Sequence, residues 1–438
     1  MICENIGATG SHLTFAGADT VALAAKHGTP LYLMDENRIR NNCRVYLKAM
    51  KEHFGESSFP CYASKAASFK RIYEIMKEEG MGVDLVSSGE RYTAQKAGFP
   101  MEKALFHGNN KTMADIIGAV ESGVGYFVAD SIYELELIKE YCDEARSRGE
   151  KPEKQKVIFR LTPGIDPHTY DAVATGKVDS KFGTAIETGQ AEELIKKAKE
   201  FTDIEIMGYH CHVGSQVFDS DGDVYLEAAT IMLTFGAGMQ KKYGVEFKIL
   251  NLGGGFGVRY KDSDPYLDVE ANIAKLGRHI KKTCDELSIS VPQIIMEPGR
   301  SIVADAGMTL YSVGTVKEIT GYKNYVSIDG GMTDNPRYAL YGSAYTVLVA
   351  NRMGEKADFT ADVVGRCCES GDVIQPEVKM PRPQRNDIVA VCTTGAYNYS
   401  MASNYNRLPR PPIVMVKDKE DYVAVKRESL EDIIRNDV

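Results

Sequence analysis

Eight short apolar runs alternate with helical patterns between residues 59 and 297. Each run has the length and apolar content of a buried strand, and the segments between them repeat apolar residues at helical spacing. Eight strand–helix units over about 250 residues are typical of a closed parallel barrel. An open doubly wound sheet is the alternative, but no Gly-x-Gly-x-x-Gly follows the first strand. We therefore predict a (β/α)8, TIM-like barrel whose strands cover residues 59–66, 82–86, 104–107, 126–129, 156–161, 204–212, 247–252 and 293–297.

The sequence changes character after residue 300. β-branched runs separated by turn residues follow one another, without a convincing long helix before Ser429. They predict an antiparallel β domain, a barrel or a sandwich, to which the N-terminal segment adds a strand at 31–34. The predicted division is a barrel domain over 36–305, opening with a helix at 36–54, and a discontinuous β domain over 1–35 and 306–438. The predicted C-terminal strands are 309–317, 324–329, 345–350, 359–364, 388–392, 413–417 and 422–426.

Charge and cysteine content restrict the partners and the compartment. A formal net charge of −9 argues against nucleic acid as the main partner. We see neither a signal peptide nor an apolar stretch long enough to span a bilayer, so no membrane partner is expected. Nine cysteines are scattered without paired spacing, which suits reduced thiols in the cytoplasm. These features indicate a cytoplasmic protein with a small-molecule ligand.

Residues that could take part in catalysis or ligand binding lie at the ends of three of the predicted barrel strands. Lys65 ends the first strand, Gly253-Gly254-Gly255 follow the seventh, and Glu297 and Arg300 follow the eighth. In a parallel barrel these strand ends share one rim, and loops after the seventh and eighth strands often bind phosphate. Taken alone, each feature has an ordinary explanation: a surface lysine, a tight turn and a structural salt bridge.

Two ligands suit this rim. A lysine, a glycine loop and a carboxylate together suggest pyridoxal phosphate, with Lys65 forming the Schiff base and Glu297 pairing with the pyridine nitrogen. The second possibility is a metal held by His210, His212 and Glu297, because two histidines two residues apart share a face of a regular strand. We predict pyridoxal 5'-phosphate and no metal.

Several motifs, in order over most of the chain, resemble those of diaminopimelate decarboxylases, which belong to the alanine-racemase-like fold class of pyridoxal phosphate enzymes. The motifs are Tyr62-Ala63-Ser64-Lys65-Ala66, Asp179-Ser180-Lys181-Phe182-Gly183, His210-Cys211-His212-Val213-Gly214-Ser215-Gln216, Gly253-Gly254-Gly255, Glu297-Pro298-Gly299-Arg300 and Cys368-Glu369-Ser370-x-Asp372. The resemblance implies decarboxylation of meso-2,6-diaminopimelate to L-lysine and CO2, the last step of lysine biosynthesis. It also implies a homodimer whose active sites are shared across the interface.

The resemblance further implies a role for each matching residue. Lys65 and Cys368 would be catalytic, Cys368 as a proton donor that reaches the partner subunit's site. The cofactor would be bound by Lys65, His212, Ser215, Gly254, Gly255, Glu297, Pro298, Gly299, Arg300 and Tyr397. The substrate would be bound by Arg300, Arg337, Tyr341, Glu369 and Tyr397.

Two positions depart from the family pattern. Ala67 stands where the family usually has Asn, and Tyr338 stands where it has Pro. Both positions bear on substrate preference, so a decarboxylase of D-ornithine, D-lysine, ornithine or arginine stays open. A catalytically inactive binding homologue and a metal-dependent hydrolase on a barrel stay open as well.

Overall fold

A computed structural model describes residues 2–165, 180–218 and 223–438. The chain forms two compact units. The β unit comprises Met1–Asn42, Val258–Tyr266 and Arg300–Val438, and the barrel unit comprises Cys43–Gly257 and Leu267–Gly299. The boundaries predicted from the sequence fall at residues 36 and 305. The prediction placed residues 258–266 in the barrel domain, whereas the structure assigns them to the β unit. Of the motif at 179–183, residue 179 lies outside the described residues.

The N-terminal residues form a small meander before the first long helix. The elements are β1 (Ile6–Thr9), β2 (His12–Phe15), β3 (Ala18–Asp19), α1 (Thr20–His27), β4 (Leu31–Asp35) and α2 (Glu36–Phe54). Asp19 caps α1, because its carboxylate accepts hydrogen bonds from the backbone N–H groups of Val21 and Ala22. Helix α2 has the bounds that its apolar periodicity predicts.

The barrel unit confirms the predicted eight-stranded parallel barrel. Its strands are β5 (Phe59–Ala63), β6 (Gly82–Leu85), β7 (Ala104–Phe106), β8 (Tyr126–Ala129), β9 (Gln155–Thr162), β11 (Ile204–His210), β12 (Ile249–Asn251) and β13 (Gln293–Met296), and β10 (Thr184–Ala185) pairs with β9 outside the ring. The helices are α3 (Lys70–Glu79), α4 (Ser88–Lys96), α5 (Met113–Ser122), α6 (Ile132–Ser147), α7 (Gln190–Ala198), α8 (Val224–Tyr243) and α9 (Val269–Leu287). Pairing of β13 with β5, and of β8 with β9, closes the ring.

Apolar side chains fill the inside of this ring. One residue from each of six strands joins a buried cluster: Cys61, Leu105, Val128, Ile158, Ile249 and Ile295. A barrel packed in this way is a solid core, so functional side chains are expected at the carboxyl ends of the strands.

The β unit is rich in strands and is organised around a long one, β14. Its remaining elements are α10 (Arg300–Val303), β14 (Gly307–Ile319), β15 (Lys323–Ile328), α11 (Arg337–Tyr341), β16 (Val347–Val349), β17 (Phe359–Val364), β18 (Val373–Met380), β19 (Ile388–Cys392), β20 (Ile413–Lys417), β21 (Glu420–Val425) and α12 (Leu430–Ile434). Strand β14 pairs with β4 and β19 and also with β15, so the N-terminal segment does supply a strand to the C-terminal sheet. The pairing is mostly antiparallel, with parallel pairs between β4 and β20 and between β15 and β17.

Within the described ranges, no helix is both long enough and apolar enough to cross a bilayer.

Candidate active site

Lys65 lies at the carboxyl end of the first barrel strand. The strand was expected to reach residue 66, but it ends at Ala63, and a 3-10 turn over Ser64–Ala66 carries the lysine. The Ala63 N–H donates to the carbonyl of Pro298, which follows the neighbouring strand β13. The structure therefore brings Lys65 and Glu297 to the same end of the barrel, on adjacent strands.

Glu297 is buried and lies at the centre of a polar cluster. Its Oε1 accepts hydrogen bonds from His107 Nε2 and Asn251 Nδ2, both at 2.7 Å, and its Oε2 accepts one from His210 Nε2 at 3.1 Å. The two histidine rings pack edge to face with centroids 4.9 Å apart. Asp84 Oδ1 lies 3.8 Å from His107 Nε2, which is too far for a hydrogen bond. Five strand ends thus converge on one carboxylate and its surroundings.

This arrangement gives the two buried acids opposite titration behaviour. Burial raises the pKa of Glu297, but His107 and His210 outweigh burial and hold that pKa well below its ordinary range. Burial raises the pKa of Asp84, and the favourable charge of His107 offsets only part of the effect. Burial also lowers the pKa of His210 to about 4, although Glu297 acts in the opposite direction. Glu297 is therefore ionised at neutral pH, beside a neutral His210.

His212 lies in the loop after β11, because the strand ends at His210 rather than at residue 212 as expected. Burial, and next the positive charge of Lys65, lower the pKa of His212 well below its ordinary value, so the ring is neutral. Among the described residues, the cluster with metal-ligand spacing consists of His107, His210 and Glu297. His107 takes the place in that cluster that the metal hypothesis gave to His212.

The glycine loop after β12 has no room for side chains. A Cβ on Gly254 would lie 2.1 Å from the carbonyl oxygen of Glu297, and a Cβ on Gly255 would lie 2.1 Å from that of Gly214. Gly255 also has a φ of +118°, which L side chains rarely adopt. An anion such as phosphate can come close to the backbone N–H groups of such a loop and accept hydrogen bonds from them. Ser215 is half-buried in the neighbouring loop after β11.

The segment after β13 packs just as closely against the turn that carries Lys65. A Cβ on Gly299 would lie 3.0 Å from Ala63 Cβ and 3.2 Å from Ala66 Cβ. Pro298 and Gly299 are both buried. Pro298 and Gly299 therefore hold the backbone next to Lys65 and Glu297 in place. They would contribute to a cofactor site by positioning these two side chains.

The β unit contains a second group of predicted site residues, built from two buried arginines and three tyrosines. Arg300 Nη1 donates to Tyr260 Oη at 2.6 Å, and its guanidinium lies 4.8 Å from the centroid of the Tyr397 ring. The Arg337 guanidinium lies 5.2 Å from the same ring and 5.0 Å from that of Tyr341. Tyr397 has a φ of +61°, a conformation uncommon outside glycine. The structure thus brings Arg300, Arg337, Tyr341 and Tyr397 together within the β unit.

Cys368 and Glu369 lie in a loop of the β unit and are exposed. Their loop is anchored by Asp372, whose Oδ2 accepts from the Cys367 N–H at 2.7 Å and whose Oδ1 accepts from the Met332 N–H at 2.6 Å. Asp372 therefore connects this loop to the one that precedes Arg337.

Sequence reasoning missed three members of the Glu297 cluster. His107 directly follows β7, Asn251 ends β12, and Asp84 lies inside β6. Each is a single polar residue at or near the carboxyl end of an apolar strand, and that position is the one signal that could have found them.

The barrel residues fit pyridoxal phosphate. The glycine loop can receive the phosphate, Lys65 can join the aldehyde, and the ionised Glu297 can pair with a protonated pyridine nitrogen. The three donors to Glu297 fit this use, because they keep the acid charged in a buried place.

Comparison with known proteins agrees with this geometry. Residues 37–304 match the family model described as "Pyridoxal-dependent decarboxylase, pyridoxal binding domain". The diaminopimelate decarboxylase of Bacillus subtilis is 43% identical over 98% of this chain and 95% of its own, and that of Halalkalibacterium halodurans is 42% identical with the same coverage. A crystal structure of diaminopimelate decarboxylase from M. jannaschii in co-complex with L-lysine matches with a TM-score of 0.89 and 32% identity, covering 99% of this chain and 98% of the other. The chain belongs to the diaminopimelate decarboxylase family of pyridoxal-dependent decarboxylases.

Proposed function

We propose that this protein decarboxylates meso-2,6-diaminopimelate to L-lysine and CO2, using pyridoxal 5'-phosphate, in the last step of lysine biosynthesis. The observation that carries the proposal is the similarity to diaminopimelate decarboxylases over nearly the full length of the chain. The Glu297 cluster beside Lys65 supports it, because it supplies the groups that the cofactor requires.

In this proposal, the barrel residues hold the cofactor. Lys65 Nζ would bind its aldehyde group, the neutral ring of His212 would pack against its ring, and the loop of Gly254 and Gly255 would receive its phosphate together with Ser215. When bound, pyridoxal phosphate acts as an electron sink for the charge left when a carboxylate is lost. Glu297 is ionised, so its carboxylate stabilises a proton on the ring nitrogen.

The two arginines of the β unit suit a ligand that carries two carboxylate groups. Arg337 is buried, and its Nε has no hydrogen-bond partner in the part of the chain that the structure describes. A buried guanidinium of this kind favours a carboxylate, which it can bind through two parallel hydrogen bonds. We assign Arg337 and Tyr341 to the distal carboxylate of the substrate, a group that lysine, ornithine and arginine lack. Arg300 and Tyr397 would contact cofactor and substrate, which the family resemblance implies.

Cys368 is the proposed proton donor, and Glu369 the proposed partner of a substrate ammonium group. The resemblance places this pair in the site of the second subunit, so we propose a homodimer with shared active sites. None of the nine cysteines, all of them described, forms a disulfide, which supports a cytoplasmic location.

A substrate panel tests the proposal. The protein is purified with pyridoxal phosphate, and CO2 release is measured with meso-diaminopimelate, D- and L-ornithine, D- and L-lysine, and L-arginine. We expect diaminopimelate to be preferred by at least about 100-fold in kcat/KM, because the other substrates leave Arg337 unpaired in a buried place. A preference for a basic amino acid would instead assign the protein to the substrate class that Tyr338 and Ala67 leave open.

Variants at the lysine and the arginine separate cofactor binding from substrate selection. Lys65→Arg keeps the charge but cannot join the aldehyde, so we expect loss of the cofactor's visible absorbance and of activity, while Lys77→Arg on the exposed side of α3 changes neither. Arg337→Gln is expected to raise KM for diaminopimelate and to leave the absorbance intact. A Lys65→Ala protein that keeps this absorbance and turns over would refute the proposal.

A further inference from the structure

We propose that His107, His210 and Asn251 are positioning residues that orient Glu297 and leave one acceptor site, on Oε2, for the ring nitrogen of the cofactor. The inference rests on the proposed function and deepens it. Nothing in the motif resemblance points to His107 or Asn251.

The number of acceptor sites on Glu297 limits where the cofactor can bind. An ionised carboxylate offers about four lone-pair sites, two on each oxygen. Within the described ranges, the donors to Glu297 are His107 and Asn251 on Oε1 and His210 on Oε2. Oε1 is therefore saturated, and a fourth donor is accommodated best at Oε2.

The carboxylate also fixes the state of the two histidines. Because an ionised carboxylate only accepts, both rings must carry a hydrogen on Nε2, which fixes their tautomers when they are neutral. His210 Nδ1 is buried and has no hydrogen-bond partner among the described residues. An unprotonated Nδ1 can be buried without a partner at a small cost, whereas a protonated Nδ1 would bury an unpaired N–H group. His210 is thus a neutral donor, and it adds no charge that would repel a protonated ring.

These donors matter for the cofactor because they set the basicity of Glu297. A carboxylate that already accepts three hydrogen bonds is a weaker base than one left bare in an apolar interior. The shared proton therefore stays on the pyridine nitrogen instead of moving to Glu297. Other charged groups that act on this cluster are Asp84, Lys65 and Arg160, and none of them donates a hydrogen bond to the Glu297 carboxylate within the described ranges.

Contacts with neighbouring backbone and side-chain groups hold the three donors in place. The His107 N–H donates to the carbonyl of Leu85 at 2.7 Å, and the His107 and His210 rings pack edge to face. Asn251 Oδ1 accepts from the Gly253 N–H at 2.9 Å, so the same side chain orients both Glu297 and the start of the glycine loop. The carboxylate and the phosphate loop are in this way positioned by one amide.

The test compares variants that delete a donor with variants that retain it. His107→Leu and His210→Leu remove the N–H donors, whereas His107→Gln and His210→Gln place an amide N–H close to the position of Nε2. The holoenzyme is loaded with cofactor labelled with ¹⁵N in the ring, and ¹⁵N NMR reports whether that nitrogen is protonated. The dissociation constant of the cofactor and kcat for diaminopimelate are measured on the same samples.

We expect a protonated ring nitrogen in the unmodified protein and in the Gln variants. In the Leu variants we expect the neutral form to gain population, kcat to fall about 10- to 100-fold, and the cofactor still to bind. Leu variants that keep a fully protonated nitrogen and an unchanged kcat would overturn the inference. Leu variants with a neutral nitrogen that the Gln variants fail to reverse would also overturn it, since the effect would then come from altered packing.

These outcomes are distinguishable from failure of the proposed function. If the unmodified protein neither binds the cofactor at Lys65 nor releases CO2, the proposed function fails before any variant is compared. If it does both and the Leu variants behave like it, the positioning role alone is wrong.

Discussion

Asp334 is buried in the loop that leads to Arg337, and its carboxyl group makes a pH-dependent contribution to stability that can be measured. Its Oδ2 accepts from Tyr311 Oη at 2.5 Å and its Oδ1 accepts from the Gly331 N–H at 3.0 Å. Burial nevertheless raises its pKa to about 7, and these hydrogen bonds reverse only part of that rise. The folded protein therefore binds a proton at Asp334 that the unfolded chain releases near pH 3.8.

The sign follows from proton binding. Between pH 3.8 and about 7 the folded state binds more protons than the unfolded state, so the free energy of unfolding falls as pH rises through this window. A difference of about three pKa units corresponds to about 4 kcal/mol, of which roughly 2–3 kcal/mol is lost between pH 5 and pH 8. At about 2.1 cal/mol/K per residue, this loss lowers Tm by roughly 3 °C for a chain of this length that unfolds cooperatively.

Asp334→Asn removes the titration while keeping both hydrogen bonds, because its amide can donate to Tyr311 Oη and its carbonyl can accept from Gly331. We expect Tm of the variant minus Tm of the unmodified protein to increase by roughly 3 °C from pH 5 to pH 8, measured by scanning calorimetry. Asp358→Asn, at an exposed position, is the matched control, and its difference should stay constant. A difference for Asp334→Asn that is flat or that decreases with pH would refute the reasoning.

Two further predictions concern the barrel unit. Gly236→Ala should destabilise the protein by about 1–3 kcal/mol, because the added Cβ would lie 2.4 Å from the Phe247 ring. Gly238→Ala, two residues along the same helix and with nothing within 4 Å, should stabilise it by up to about 1 kcal/mol, and urea unfolding compares the pair. Lys111→Met should cost about 3–5 kcal/mol, because Lys111 forms a buried ion pair with Glu134 at 2.5 Å and its loss leaves the carboxylate without a counterion. Adding Glu134→Gln should restore part of that stability, and a double variant no more stable than Lys111→Met would contradict this explanation.

The barrel could be predicted from the sequence because each strand and helix shows its own periodicity. The bounds of α2, β8, β17, β19 and β20 agree with the prediction to the residue. The predicted end of β11 lies two residues too far, because Cys211 continues the buried pattern after the ladder has ended at His210. Burial and strand pairing are separate properties, and a sequence pattern reports burial.

Strand β18 was missed in the prediction for a local reason. Pro376 lies in its middle, where a proline usually argues against a strand, and Glu377 adopts a φ of +52°. The pairing of β17 with β18 shifts register there, so an irregularity absorbs the proline. Such irregularities depend on the partner strand, so the sequence of one strand does not indicate them.

The candidate site could be predicted in part, for a related reason. Lys65 and Glu297 stand out because each follows a strand as a charged residue in a distinctive motif. His107 directly follows one ordinary apolar strand and Asn251 ends another. They gain significance only when the closed ring brings the third and seventh strand ends to Glu297. Proximity across a barrel is a property of the whole ring, whereas a motif is a property of one segment.

The two buried carboxylates of the rim show why this distinction matters for chemistry. Asp84 and Glu297 are both nearly inaccessible, and burial alone would favour the protonated form of each. Glu297 keeps its charge because three donors from other strands reach its oxygens, whereas Asp84 Oδ1 has no hydrogen-bond partner among the described residues. The arrangement of donors, and not the residue type, therefore shifts the pKa values of the two acids in opposite directions. For this reason the ring nitrogen of the cofactor is expected at Glu297, which holds its charge, and not at Asp84, whose pKa burial raises.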